Sequence, residues 1–156
     1  MRALLQRVTR ASVKVGDEIV GQIGPGVVIL LGIRSGDDAS GATWLARKIA
    51  DLRIFEDDQG AMNLSLKEVS GSALVVPQFT LYGDARRGRR PSFTEAAPAE
   101  TAAPLYERFC TLLAELGVPV SRGRFGAHML VEIHNDGPVT LMLDTDISRR
   151  GLAKSD

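Results

Sequence analysis

The 156-residue sequence predicts an α+β fold: one domain in which a mostly antiparallel or mixed β-sheet curls into a barrel-like core, accompanied by two main helices. Three observations point there. Strand-like segments dominate the first and last thirds of the chain. Only two stretches carry apolar residues at helical spacing. Strands and helices do not alternate in the regular way that a parallel βαβ sheet requires.

Ala3 to Val8, Ser12 to Val15 and Glu18 to Ile23 read as short strands, with Gly16-Asp17 as a hairpin turn. Val27 to Ile33 is continuously apolar, which suits a strand covered on both faces, and Gly24-Pro25-Gly26 punctuates its entry. After Asp37-Asp38, the residues Trp44, Leu45, Ile49 and Leu52 fall near helical spacing and predict a helix over 39–52. Ala73 to Val76 is another strand-like run. A second helix is expected from near Thr101, with Leu105, Phe109, Leu112, Leu113 and Leu116 on one face. Gly117 sits where a capping glycine belongs, and Pro119 blocks continuation. Pro98 and Pro104 lie near its start, where proline is tolerated. Strands resume over 118–121, 127–133 and 139–143. Residues 1–150 are expected to form the domain and 151–156 a polar tail.

Nineteen basic residues balance nineteen acidic ones, so the global charge announces neither a nucleic-acid nor a membrane partner, and RNA contact requires a local patch. The opening residues lack the apolar stretch of a signal peptide, and no run approaches the ~18 apolar residues of a membrane helix, so the cytoplasm is the expected compartment. Cys110 is the single cysteine. Its apolar helical setting reads as a buried hydrophobe rather than a catalytic thiol. His128 and His134 are six apart and do not readily share one ion, so no metal and no other cofactor is expected. Neither histidine accompanies a serine elbow, and Gly24-Pro25-Gly26 lacks a phosphate-loop lysine.

Two polar insertions interrupt apolar runs: Pro77-Gln78-Phe79-Thr80-Leu81 after Ala73-Leu74-Val75-Val76, and Asn135-Asp136-Gly137-Pro138-Val139-Thr140 before Leu141-Met142-Leu143. Placing such residues in strands sacrifices burial for backbone geometry and hydrogen bonding, which marks a binding site. Gly137-Pro138 is either a plain turn or a cis peptide that fixes the direction of its carbonyls. The arginines Arg86, Arg87, Arg89 and Arg90 form either a solvated loop or a phosphate grip, with Phe93 or Tyr82 stacking on a base.

With the flanking segments Val75 to Gly83 and Phe125 to Met129, these insertions closely resemble the two signature motifs of D-aminoacyl-tRNA deacylases. The resemblance extends through Gln6-Arg7-Val8, Gly24 to Gly32, Met62-Asn63-Leu64-Ser65, Gly88 to Phe93 and Leu105 to Phe109. It implies a cofactor-free homodimer that hydrolyses the ester joining a D-amino acid to the 3′-terminal adenosine of tRNA, with active sites at the subunit interface. It also implies that Gly137 and Pro138, cis in that family, enter the partner's site and reject L-residues, braced by Arg7. Gln78, Phe79 and Thr80 are the expected catalytic wall. Pro77, Met129, Asn135, Arg86, Arg87, Arg89, Arg90 and Phe93 are expected to contact substrate or tRNA. The family usually has Ser where this chain has Pro77, which removes a hydroxyl and a backbone donor there. No general base is recognisable, so hydrolysis assisted by the ribose 2′-hydroxyl is expected, with Thr80 as a covalent nucleophile the alternative. Glycyl-tRNA, with no Cβ to exclude, is an expected second substrate. A non-catalytic tRNA or RNA-end binding module is the competing reading, and an oligomeric scaffold a weaker third.

Overall fold

The computed structural model describes residues 1–146, so the 151–156 tail expected from the sequence lies outside the described residues. In chain order the elements are β1 (Arg2–Val15), β2 (Glu18–Ile23), β3 (Gly26–Gly32), α1 (Ala39–Asp51), β4 (Arg53–Glu56), β5 (Met62–Ser65), β6 (Ser72–Pro77), a 3-10 turn (Phe79–Tyr82), α2 (Ala99–Glu115), β7 (Val120–Arg122) and β8 (Leu130–Asp144). The main sheet runs β2-β1-β3-β6-β7, with β8 on the other edge of β1. The β3–β6 and β6–β7 pairs are parallel and the remaining pairs antiparallel, so the sheet is mixed.

The ends of the sheet curl toward each other. Ser121 Oγ donates to the Gln22 carbonyl at 3.1 Å, and a Cβ on Gly21 would lie 2.6 Å from the Arg122 carbonyl oxygen. Glycine at 21 is therefore what lets β2 and β7 approach, and the barrel is nearly closed. One hydrophobic cluster fills the barrel (Val8, Val13, Val28, Leu74, Val76), and another fills the space between sheet and helices (Leu5, Ile29, Leu45, Val75, Phe109, Leu113). Val27, Val28 and Ile29 are all buried, as the continuous apolar run predicts for a strand covered on both faces.

Four elements differ from their sequence reading. The two short strands expected at the N-terminus are one long β1. It pairs with β3 through residues 2–8 and with β2 through residues 11–15, so exposed Thr9-Arg10 marks a change of neighbour rather than a turn. The last two expected strands are likewise one strand, β8, which runs alongside β1 over nearly its whole length. The β4–β5 ribbon was not expected, because neither four-residue segment carries a clean period-2 pattern. Helix α2 begins at Ala99 with Pro98 as its N-cap, so Pro104 falls inside the helix rather than at its start. Both predicted helices are otherwise present. Asp38 caps α1 by accepting from the Gly41 amide at 3.0 Å, and Gly117, at φ +93°, follows the last turn of α2. Full burial of Phe109 and Leu113 contributes about 1.5–3 kcal/mol each. No helix among the described residues is long and apolar enough to cross a membrane.

Candidate active site

The C-terminal ends of β3 and β6 open into a cavity of about 300 Å³. Leu31, Val76, Pro77, Gln78 and Phe79 form one side, and Phe125, Gly126, Ala127, Met129 and Val131 another. Strand pairing ends at Pro77, which has no amide to donate. The chain stays anchored because the next amide, Gln78, donates to the Leu31 carbonyl at 2.8 Å and the 3-10 turn follows at once. That turn needs Gly32, since a Cβ there would lie 3.0 Å from Leu81 Cβ and 3.1 Å from the Gln78 carbonyl. Arg2 pins its far end: Nη1 donates to the Leu81 carbonyl at 2.9 Å, and the guanidinium lies 4.6 Å from the centroid of the buried Tyr82 ring. The Tyr82 phenol is pushed up by burial and cannot serve as a base at neutral pH.

None of the described residues lining the cavity is ionisable. Thr80 Oγ1 accepts from Gln78 Nε2, and no carboxylate or imidazole among the described residues pairs with it. His134 is bound to Glu132 at 2.7 Å on β8, and Cys110 is buried with its thiol pushed up to about 11 by desolvation. The amides of Phe79 and Thr80, which open the 3-10 turn, have no acceptor among the described residues.

The second insertion is a bulge in β8. Gln6 pairs with Thr140 and Val8 with Asn135, so residues 136–139 stand opposite Arg7 alone. The Gly137–Pro138 peptide is cis, and the bend faces outward. Arg7 is buried beneath it, with Nε donating to the Asp136 carbonyl at 3.1 Å and Nη1 to the Ile54 carbonyl on β4 at 2.8 Å. Glu56 and the Asp136 carboxylate lie at 3.7 and 3.6 Å from the guanidinium. Asn135 ties the two arms of the bend together, donating to the carbonyls of Arg7 at 2.8 Å and Val139 at 3.0 Å. Only glycine suits position 137: φ is +132°, and a Cβ would lie 2.7 Å from Val139 Cγ2 and 3.2 Å from Arg7 Nη2. Neither Gly137 nor Pro138 lines the cavity of its own chain.

Beside the cavity, Phe93 meets Phe79 edge-on, with ring centroids 5.1 Å apart and an interplanar angle of 73°. Phe93 follows the arginine loop, in which Arg86 is paired with Asp84 while Arg87, Arg89 and Arg90 are exposed.

The sequence model of the D-Tyr-tRNA(Tyr) deacylase family matches residues 4–144, which includes the cavity, the loop and the bend. The chain belongs to this family. A D-aminoacyl-tRNA deacylase of Thermomicrobium roseum is 60% identical over 97% of this chain and 98% of its own. One of Roseiflexus sp. is 60% identical over 96% of each chain. Among solved structures, a c-Myc DNA unwinding element binding protein superposes with a TM-score of 0.86 at 41% identity, covering 92% of this chain and 98% of the other. A probable eukaryotic D-amino acid tRNA deacylase gives 0.79 at 23% identity over the same shares and shows the fold alone. Membership makes the chain a hydrolase of the aminoacyl-tRNA deacylase class.

Within one deacylase chain, the cavity brings together Pro77, Gln78, Phe79 and Met129, with Phe93 against its rim. Arg7, Asn135, Gly137 and Pro138 form a separate assembly. Asn135, expected from the family resemblance to contact substrate, has both amide hydrogens directed at backbone carbonyls and acts as a brace. Sequence reasoning missed the Ile54 carbonyl and Glu56, the anchors that β4 supplies to Arg7. No pattern in the sequence announces a main-chain acceptor 47 residues away from its donor.

Proposed function

We propose that the protein hydrolyses the ester linking a D-amino acid to the 3′-terminal adenosine of tRNA, releasing the D-amino acid and tRNA. It acts as a homodimer in which Gly137–Pro138 of one copy walls the cavity of the other. The observation that carries this reading is an exposed bend, firmly braced from beneath, that does not line the cavity of its own chain. By register, Leu31 in the cavity wall stands opposite Ala3 and Val131 opposite Val13, whereas the bend stands opposite Arg7. Along β1 these are separations of about 13 and 20 Å at 3.3 Å per residue, too far for a four-residue bulge to span. A second copy can bring the bend there. Phe79 at 58%, Met142 at 49% and Leu141 at 38% exposure offer apolar surface for that contact.

The selection is by shape. A wall of main-chain carbonyls held by Arg7 and Asn135 accepts hydrogen bonds from the α-amino group of a D-residue, and the Cβ of an L-residue collides with it. Glycine has no Cβ, so glycyl-tRNA is cleaved as well. Water adds to the ester carbonyl carbon, the amides of Phe79 and Thr80 hydrogen-bond the resulting oxyanion, and the bond to the ribose 3′-oxygen breaks. The neighbouring 2′-hydroxyl orients the water and relays its proton to the departing 3′-oxygen. The cavity's lack of ionisable side chains supports this substrate-assisted route over a Thr80 nucleophile. Such a substrate puts the activity in the cytoplasm, and none of these steps calls on a metal or other cofactor.

The test is release of tyrosine from D-tyrosyl-tRNA and L-tyrosyl-tRNA: selective release from the D-ester is expected, and equal release or none overturns the reading. The likeness to a DNA unwinding element binding protein favours one alternative, a non-catalytic nucleic-acid-binding module built on the arginine loop. That alternative requires binding of tRNA with no ester cleavage in the same assay.

A further inference from the structure

Resting on the deacylase reading, the geometry points to Arg87, Arg89 and Arg90 as the grip on backbone phosphates of the RNA whose 3′ end enters the cavity. The loop that carries them is a closed structure rather than a slack one. At its neck, the Asp84 amide donates to the Ser92 carbonyl at 2.7 Å and the Ser92 amide returns to the Asp84 carbonyl at 2.9 Å. Asp84 also takes Arg86 in a two-point pair, Nε to Oδ1 at 2.8 Å and Nη2 to Oδ2 at 2.7 Å. Arg86 is therefore ion-paired within its own arm of the loop, its charge matched by Asp84, which separates it from the other three. Arg87, Arg89 and Arg90 are exposed and make no ion pair among the described residues. Gly88, at φ +69°, turns the tip between them.

The position of this cluster identifies its ligand. Phe93, directly after the neck, is held edge-on against Phe79, which fixes the loop at the mouth of the cavity. The Phe93 ring is engaged there and props the loop against the cavity wall. The whole chain has zero formal charge, so three unmatched guanidinium groups at this one rim are a local anion site. A terminal adenosine seated in the cavity trails a chain of phosphodiesters past that rim, and guanidinium forks match phosphate oxygens in pairs.

The test compares two substrates with the same ester: D-tyrosyl-tRNA, and D-tyrosyl adenosine, which carries no phosphate. In the R87A/R89A/R90A variant, the preference for tRNA over the adenosine ester, as a ratio of kcat/KM, is expected to fall at least tenfold at low salt. The dependence of log KM for tRNA on log salt is expected to lose a slope of about 2, from three contacts at about 0.7 each. Across a fourfold rise in salt, that is a change in KM about 20-fold smaller than in the parent protein. An unchanged ratio and slope overturn the inference, as does an equal loss on both substrates, which would make the loop a support for the cavity wall. If the parent protein cleaves neither D-ester, the deacylase reading itself has failed. Cleavage of both by the parent, with no effect of the triple substitution, fails the phosphate grip alone.

Discussion

Replacing Arg7 by alanine should both destabilise the protein and blunt its choice between mirror-image esters. The Arg7 guanidinium makes two close hydrogen bonds, to the buried Ile54 carbonyl at 2.8 Å and to the Asp136 carbonyl at 3.1 Å. In the alanine variant, water can reach the part-buried Asp136 carbonyl from the exposed bend, but the Ile54 carbonyl is left without that partner, at a cost of about 1–3 kcal/mol. The contacts to Glu56 and to the Asp136 carboxylate, at 3.7 and 3.6 Å with both acids more than half exposed, contribute between about 0 and 1 kcal/mol each. Lost packing of the buried side chain adds to this, for a total near 3 kcal/mol. For a chain of this length that lowers Tm by about 6–12 °C. Differential scanning fluorimetry reads the first effect, and the ratio of kcat/KM on D-tyrosyl-tRNA to that on L-tyrosyl-tRNA reads the second. Arg7→Lys restores part of the stability, but its single ammonium does not restore the planar fork that bridges β4 to the bend, so selectivity stays low. An Arg7→Ala protein with Tm within 1–2 °C of the parent, about the size expected of a surface substitution, and an unaltered D/L ratio would refute the brace.

Other substitutions separate the parts of the site. Gly137→Ala places a methyl 2.7 Å from Val139 Cγ2 at φ +132° and strains the bend by about 1–3 kcal/mol, lowering kcat/KM on D-tyrosyl-tRNA by about 10- to 100-fold. Thr80→Val should keep most activity in single-turnover deacylation, because removing a true covalent nucleophile costs on the order of 10⁶-fold. Tyr106→Phe removes a 2.8 Å bond to the Val75 carbonyl, which also accepts from the Gly123 amide, so the loss is about 1 kcal/mol, seen as a Tm drop of about 2–4 °C with the D/L ratio unchanged. The Asp84 carboxyl is held down to about 2 from 3.8 by the side chain and then the amide of Arg86. Its folded value lies below the unfolded one, so the contribution of the Asp84–Arg86 contacts is complete above about pH 5 and is lost as pH falls through about 2. tRNA affinity measured by filter binding at fixed salt should therefore not change through this group between pH 5 and 8, and a transition there would point to another residue.

The sequence contains the helices and the buried strand because each is written in side chains: Leu45 and Ile49 on one face, Phe109 and Leu113 on another, and the unbroken run from Val27 to Ile33. It does not contain the length of β1. Exposed Thr9-Arg10 looks like a break, and only the exchange of β3 for β2 as its neighbour keeps the chain extended. Both insertions were legible as polar interruptions, and Gln78, Phe79 and Met129 meet at one cavity, which Thr80 does not line. The division of labour was not. Asn135 reads as a substrate contact until its two donors are found on backbone carbonyls, and the sequence shows Asp84 near four arginines without showing that it pairs with Arg86. Both depend on where a loop folds back on itself, which residue types alone do not specify.

The separation of bend and cavity within one chain makes subunit sharing directly testable. Gly137→Ala leaves a chain with an intact cavity and a spoiled bend; Phe79→Ala leaves a chain with an intact bend and a spoiled cavity wall. In the proposed assembly, each homodimer then has two defective sites. In a heterodimer, the cavity of the first chain meets the bend of the second, while the reciprocal site combines both defects. After subunit exchange at equal concentrations, about half the dimers are mixed and each has one sound site of two, so about a quarter of parental activity should return. The recovered activity should keep the parental preference for D-esters, because both faces of the restored site are native. Activity that never exceeds the mean of the two variants, under conditions where exchange is demonstrated by mass, would mean that each chain completes its own site. The register that places Gly137 opposite Arg7, remote from Leu31, would then have to be accommodated by some other route to the cavity.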